Sequence, residues 1–139
     1  MRIYLPATWP MLARTVKTGN FEPLGGTAFA LTPKLRESYT AGDDEELEYA
    51  AMNEAARASL RLLSVEFGLG EDDTPARRVV VSADTDDVTL RPDLDDGAVR
   101  VTGPVPVSKI AAAHVDLPEA EHAVREAAGA VDKADLGDM

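Results

Sequence analysis

The stretch DDEELEYAAMNEAARASLRLLSVEF, residues 43–67, decides how the rest of the chain must fold. Its spacing predicts one long helix. Asp43 stands at the N-cap with Glu46 three residues on, and Asp44, Glu45 and Glu46 put negative charge in the first turn, where the helix dipole is positive. Gly68, with Gly70 following, offers a left-handed stop. Leu47, Ala51, Ala55, Ala58, Leu62 and Val65 recur every three or four residues, and Met52, Ala56, Leu60, Leu63 and Phe67 fill the adjoining face. The polar remainder is a narrow stripe of Asn53, Glu54, Arg57, Arg61 and Ser64. A helix apolar over most of its circumference is expected to lie sandwiched between other elements. Its alanines imply that something packs close to its axis. It reads as a core helix with no chemistry of its own.

Composition bounds what can surround that helix. A chain of 139 residues suits one domain with an ordinary core. It has no cysteine, which excludes thiol catalysis, zinc–thiolate sites and disulfides. No apolar run is long enough to span a bilayer. The opening MRIYLPATWP lacks the charged and apolar regions of a secretion signal, so a soluble cytoplasmic protein with no membrane partner is expected. The formal net charge is −11. Residues 1–40 hold five basic and two acidic side chains, whereas residues 41–139 hold nine basic and twenty-three acidic ones. Phosphate backbones need a dense cationic surface, so nucleic acid is not an expected ligand.

Outward from the helix, the chain reads as alternating short elements. Arg2–Pro6 alternates apolar and polar residues and opens the chain as a strand. Thr8 caps a short helix with Pro10 in its first turn, and Trp9, Leu12 and Val16 share its expected inward face. Gly25-Gly26 reads as a turn before the small-residue strand Thr27–Leu31, placed centrally for want of charges. Lys34–Tyr39 is a second short helix with Leu35 inward. Beyond the long helix, GEDDTPA is an acidic linker, and Arg77–Ala83 follows with three consecutive valines, as in a strand covered on both faces. Val88–Leu90 and Ala98–Thr102 are strands around an Asp95-Asp96-Gly97 turn. Pro104 and Pro106 break the run before Ile110–Val115, read as a further strand. A last helix spans Glu119–Val131 with Ala120, Val124, Ala127 and Ala128 inward, and residues 132–139 are expected to form a loose polar tail.

The segments MRIYLPAT, GTAFALTPKLRESY, DDEELEYAAM, RRVVVSADTDDVTLRPDLDDGAVRV and AAHVDL resemble, as a set, a family of uncharacterised actinobacterial proteins. The resemblance covers nearly the whole chain. It implies a cytoplasmic bacterial protein and supplies no activity, cofactor or catalytic residue. It also implies that a further acidic segment with aromatic residues follows in the family's members.

Four groups of residues carry candidate chemistry. Asp84 and Asp86 follow the valine strand, and two carboxylates at a buried strand's end suit a magnesium-dependent phosphate-handling hydrolase. Val88-Thr89-Leu90 adds a likeness to haloacid-dehalogenase phosphatases. Against it, no glycine turns the loop after Asp86, the strand does not come first in the chain, and no downstream lysine and acidic pair is suitably placed. Asp93, Asp95, Asp96 and Gly97 resemble a calcium loop but have Pro92 where its first ligand belongs. His114 and Asp116 have the types of a base and its orienter, and no nucleophile stands near them in sequence. Trp9 with Gly25 and Gly26 would serve a small-molecule sensor. In each case the plainer expectation is a solvated turn, a strand-end side chain or an apolar anchor.

The expected architecture is α/β (or α+β), one domain over residues 1–131. A mixed sheet of five to six strands packs against the long central helix and the C-terminal helix. The expected function is a non-enzymatic binding or regulatory module with a protein partner or self-association, and no cofactor. Magnesium enters only under the hydrolase alternative centred on Asp84 and Asp86. His114, Asp116, Trp9, Gly25 and Gly26 are the ligand or partner candidates.

Overall fold

A computed structural model describes residues 1–39, 41–70 and 74–137, residues 131–137 by backbone alone. Residues 71–73 of the expected acidic linker therefore lie outside the described residues. The elements are β1 (Arg2–Ala7), α1 (Trp9–Thr18), β2 (Asn20–Phe21), β3 (Thr27–Ala30), α2 (Pro33–Ser38), α3 (Asp44–Gly68), β4 (Val79–Asp84), β5 (Val88–Leu90), β6 (Ala98–Val101), β7 (Val105–Pro106), β8 (Ile110–Val115) and α4 (Glu121–Gly137).

Six strands form one sheet in the order β5-β6-β3-β1-β4-β8, and β2 pairs separately with β7. Every pair is antiparallel, where the sequence reading expected a mixed sheet. The chain crosses from β3 through α3 to β4, which run the same way. β1 lies between them, so the two parallel strands never pair directly.

The three valines of β4 behave as a doubly covered strand should. Val79 and Val81 pack with Ile3, Leu5, Phe21, Val99 and Val105 on one face, backed by Met11 and Leu12 of α1. Val80 points the other way, into a cluster with Tyr4, Phe29, Leu35, Ala51, Ala55 and Ala98 beneath α3. On α1 the face differs from the expected one. Thr15 is its buried residue, Met11 and Leu12 are half-buried, and Val16 and Trp9 are exposed.

The long helix starts where its cap requires, with the Asp43 side chain accepting a hydrogen bond from the Glu46 N–H at 2.9 Å. Gly68 remains helical, and the left-handed residue is Gly70, with φ +85°. The helix is not buried all round. Its fully buried row steps by four through Leu47, Ala51, Ala55, Ser59 and Leu63, which is one ridge along an α-helix. Ala58 and Leu62 are only half-buried, Val65 is 61% exposed, and Ser64, expected on the polar stripe, is buried. The sheet covers one side of α3. α4 covers part of another near the carboxyl end, where Leu63 meets Ala76, Val124 and Ala128 and the Arg125 guanidinium lies 4.5 Å from the Phe67 ring centre. Ala127, expected inward, is exposed. α4 also continues to Gly137, six residues past Val131, because no proline or glycine interrupts residues 130–136.

Small residues on the buried row bring α3 close to the strands. The Ser59 hydroxyl donates to the Ala7 carbonyl at 2.7 Å and accepts from the Val79 N–H at 2.9 Å. Ala7 and Val79 are register partners, so this one side chain occupies the end of the β1–β4 ladder. Ser59→Ala removes both partners from buried backbone groups and is expected to cost roughly 1–3 kcal/mol. Arg57→Ala, on the exposed side, is expected to change stability by no more than about 0.5 kcal/mol. Urea titrations of the two variants check this, and equal midpoints would show that the strands close without the serine.

Candidate functional site

The sheet ends at β8, and its last pairing sets the geometry of the site. β8 runs antiparallel to β4, with Val79 opposite Val115, Val80 opposite His114 and Ser82 opposite Ala112. The Asp116 N–H donates to the Arg78 carbonyl at 3.1 Å. Backbone groups alternate sides along an antiparallel ladder. His114 and Ala112 therefore direct theirs at β4, and Ala113 and Val115 direct theirs outward. The register slips between Ser82 and Ala83, leaving Ala111 as an extra residue on β8. Ala111, Ala112, Ala113 and His114 are all exposed.

On the α3 face, an open groove of about 210 Å³ runs beside this edge. Tyr49, Met52, Asn53 and Ala56 of α3 form one wall; Arg78, Val80, His114 and Asp116 lie opposite. Arg78 grips Asp116 in a two-pronged ion pair at 2.8 and 3.0 Å, and its backbone N–H adds a third hydrogen bond at 2.8 Å. Burial pushes the Asp116 carboxyl up, but the Arg78 hydrogen bonds and charge outweigh it, leaving the group below the usual carboxylate range. The same hydrogen bonds raise the Arg78 guanidinium. The Ser82 hydroxyl donates to the Ala112 carbonyl at 3.3 Å and sits 3.5 Å from His114 Nε2.

The residues singled out in the sequence fall at two ends of the sheet. His114 and Asp116 come together in the groove, but Asp116 is bound to Arg78 rather than to the imidazole. Asp84 lies at the far end of β4, roughly 20 Å from Arg78 at about 3.3 Å per residue. There Arg2 binds Asp84 at 2.6 and 3.0 Å, and the N-terminal amine binds Asp86 at 2.9 Å. Both carboxyls are held below their ordinary range, Asp84 by its hydrogen bonds from Arg2 and Asp86 by those from the amine. Asp93 pairs with Arg91, Asp95 accepts from the Gly97 N–H, and Asp96 bonds Ser38. Among the described residues no group of three or more acids and histidines is placed to hold a metal.

Trp9 is 41% exposed, with the Arg77 guanidinium 5.9 Å from its ring centre. Gly25 and Gly26 have φ of +70° and +73°, as their turn demands, and lie at the same end of the sheet as Trp9. Neither Trp9 nor the two glycines line the groove beside β8.

Arg78 and Tyr49 are groove residues that sequence reasoning missed. A signal existed for Arg78: it precedes the valine run as Asp116 follows Ile110–Val115, so antiparallel pairing brings the two together.

The whole chain, residues 1–139, matches a family described as one of unknown function, DUF6912. The chain belongs to DUF6912. No curated protein and no solved structure matches it.

The Asp116 pair has a pH signature. A depressed folded-state pKa contributes stability that is present above the unfolded carboxylate value, about 3.9, and lost as pH falls through the folded value. Asp116→Asn is expected to cost about 1 kcal/mol at pH 7, after allowance for solvent screening, and progressively less as pH falls below about 4. Urea titrations across that range check it. A pH-independent loss would assign the effect to shape rather than charge.

Proposed function

We propose that this member of DUF6912 is a non-enzymatic cytoplasmic binding module that takes an extended protein segment onto the outer edge of β8. The observation that carries the reading is the edge itself. Ile110–Val115 contains no proline and no charged side chain, two of the devices by which exposed edges usually repel an added strand, and its one bulge, at Ala111, leaves Ala112–Val115 in regular register. Among the described residues nothing pairs with its outward backbone groups, and its alanines leave both flanking surfaces low. Strand addition gains affinity from main-chain hydrogen bonds and specificity from pockets for alternate side chains. The groove between α3 and β8 supplies such a pocket, with the exposed Tyr49 ring at its rim and the Arg78–Asp116 pair at its end.

The hydrolase alternative asks Asp84 and Asp86 to bind magnesium while Arg2 and the N-terminal amine hold them. Millimolar magnesium is therefore expected to leave the melting temperature of the wild type unchanged. A rise that Asp84→Asn abolishes would favour the hydrolase.

Strand addition is tested with a displayed library of random linear peptides, selected on the protein at nanomolar concentration. Bound peptides are expected to carry apolar residues at alternate positions and to move the amide resonances of Ala113 and Val115. Ala113→Pro should abolish their binding and leave the fold intact, since the lost N–H makes no bond within the sheet. A library that yields no binder, or binders that survive Ala113→Pro, would overturn the reading.

A further inference from the structure

Building on that reading, we propose that the strand received by β8 is β8 of a second copy of this chain, paired antiparallel about a two-fold axis perpendicular to the sheet. Three observations favour this occupant. The first is the local balance of charge. Each copy carries −11, and two such bodies repel. Yet the four carboxylates described just beyond the two ends of β8 each have a cation of their own chain: Arg2 on Asp84 at 2.6 Å, the N-terminal amine on Asp86 at 2.9 Å, Lys109 on Asp87 at 3.4 Å and Arg78 on Asp116 at 2.8 Å. Carboxylates without a cation of their own lie elsewhere among the described residues, including Glu45 and Glu46 in the first turn of α3, where Asp44 is already paired with Arg36. This edge is where two copies approach at low electrostatic cost.

The second is polarity along the strand. Lys109 precedes β8 and Asp116 follows it, so an antiparallel partner brings each lysine toward the other copy's aspartate, whereas a parallel one would oppose like charges. The third is shape. Ala111, Ala112 and Ala113 present no bulk on either face, and Leu117, 70% exposed just beyond the strand, is free to cover the neighbour. A perpendicular two-fold keeps both α3 helices on one face, which sets the two Tyr49–His114 grooves side by side over a twelve-stranded sheet. The extra residue at Ala111 confines regular pairing to the segment from Ala112 onward. The contact is therefore smaller than a standard interface of about 800 Å² per partner, and the dimer is weak and concentration-dependent.

Sedimentation equilibrium of the full chain, from low micromolar to several hundred micromolar protein, reads the outcome. The mass is expected to rise from 14.8 kDa toward twice that value as concentration increases. Ala113→Pro should remain monomeric with a circular dichroism spectrum like that of the wild type. If the proline prevents folding, Ala113→Lys, which sets like charges against each other near the axis, carries the test. Leu90→Lys on the opposite edge should dimerise as the wild type does. A wild type that stays monomeric, or a dimer that persists in the β8 variants, would overturn the proposal. A monomeric wild type that still binds library peptides in an Ala113-dependent way would sink self-pairing alone and leave the strand-addition reading standing.

Discussion

Close approach of α3 to the sheet is the constraint on which the rest depends. A helix carrying leucines at each contact would stand off the strands by a full side-chain layer. Here Ala51, Ala55 and Ser59 occupy the middle of the buried row, and the backbone comes near enough for Ser59 to bond Ala7 and Val79 directly. That bridge joins the end of β1 to the start of β4, its neighbour in the sheet. Tyr4, Phe29 and Val80 supply the bulk that the helix lacks, so the apolar volume sits on the strands. The opposite face repeats the logic with Ile3, Leu5, Val79 and Val81 covered by Phe21, Val105 and α1.

Local signals made most of this legible. The Asp43 cap, the doubly covered valines, the Gly25-Gly26 turn and the strand at Ile110–Val115 all follow from residue chemistry within a few positions of each element. The rotation of α3 was not legible, because its alanines make several faces look equally apolar and Ser59 looks polar until its two backbone partners are seen. Val65 shows the error in one residue: periodicity places it with Leu62, and the structure leaves it in solvent. Strand order and direction were also hidden, since they depend on pairings up to 82 residues apart, such as Arg2 with Asp84.

The candidate site was legible in part. His114 and Asp116 do share a groove, but what Asp116 binds depends on Arg78, which only the antiparallel register delivers. Residue types suggested a base and its orienter; the geometry makes the carboxylate a clasp between the ends of β4 and β8. Asp84 and Asp86 teach the converse. In the sequence they read as a candidate magnesium pair or a solvated turn, whereas in the structure the chain's first two residues bind both. A magnesium ion arriving at these carboxylates would have to compete with a partner of its own sign, the Arg2 guanidinium at Asp84 and the amine at Asp86.

The distribution of these ion pairs also bears on how the edge is used. An unpaired strand at a sheet's margin is usually guarded by shortness, by a charged side chain, by proline or by a bulge. Here the charges lie just outside the strand and each has a partner. The β5 margin at the other end of the sheet is different. It is three residues long, and Arg91, Pro92 and Asp93 follow it closely, a short charged edge with a proline beside it. Two margins of one sheet, built from one acidic composition, thus differ in length, charge and backbone accessibility, and the difference follows from residue choice at β8.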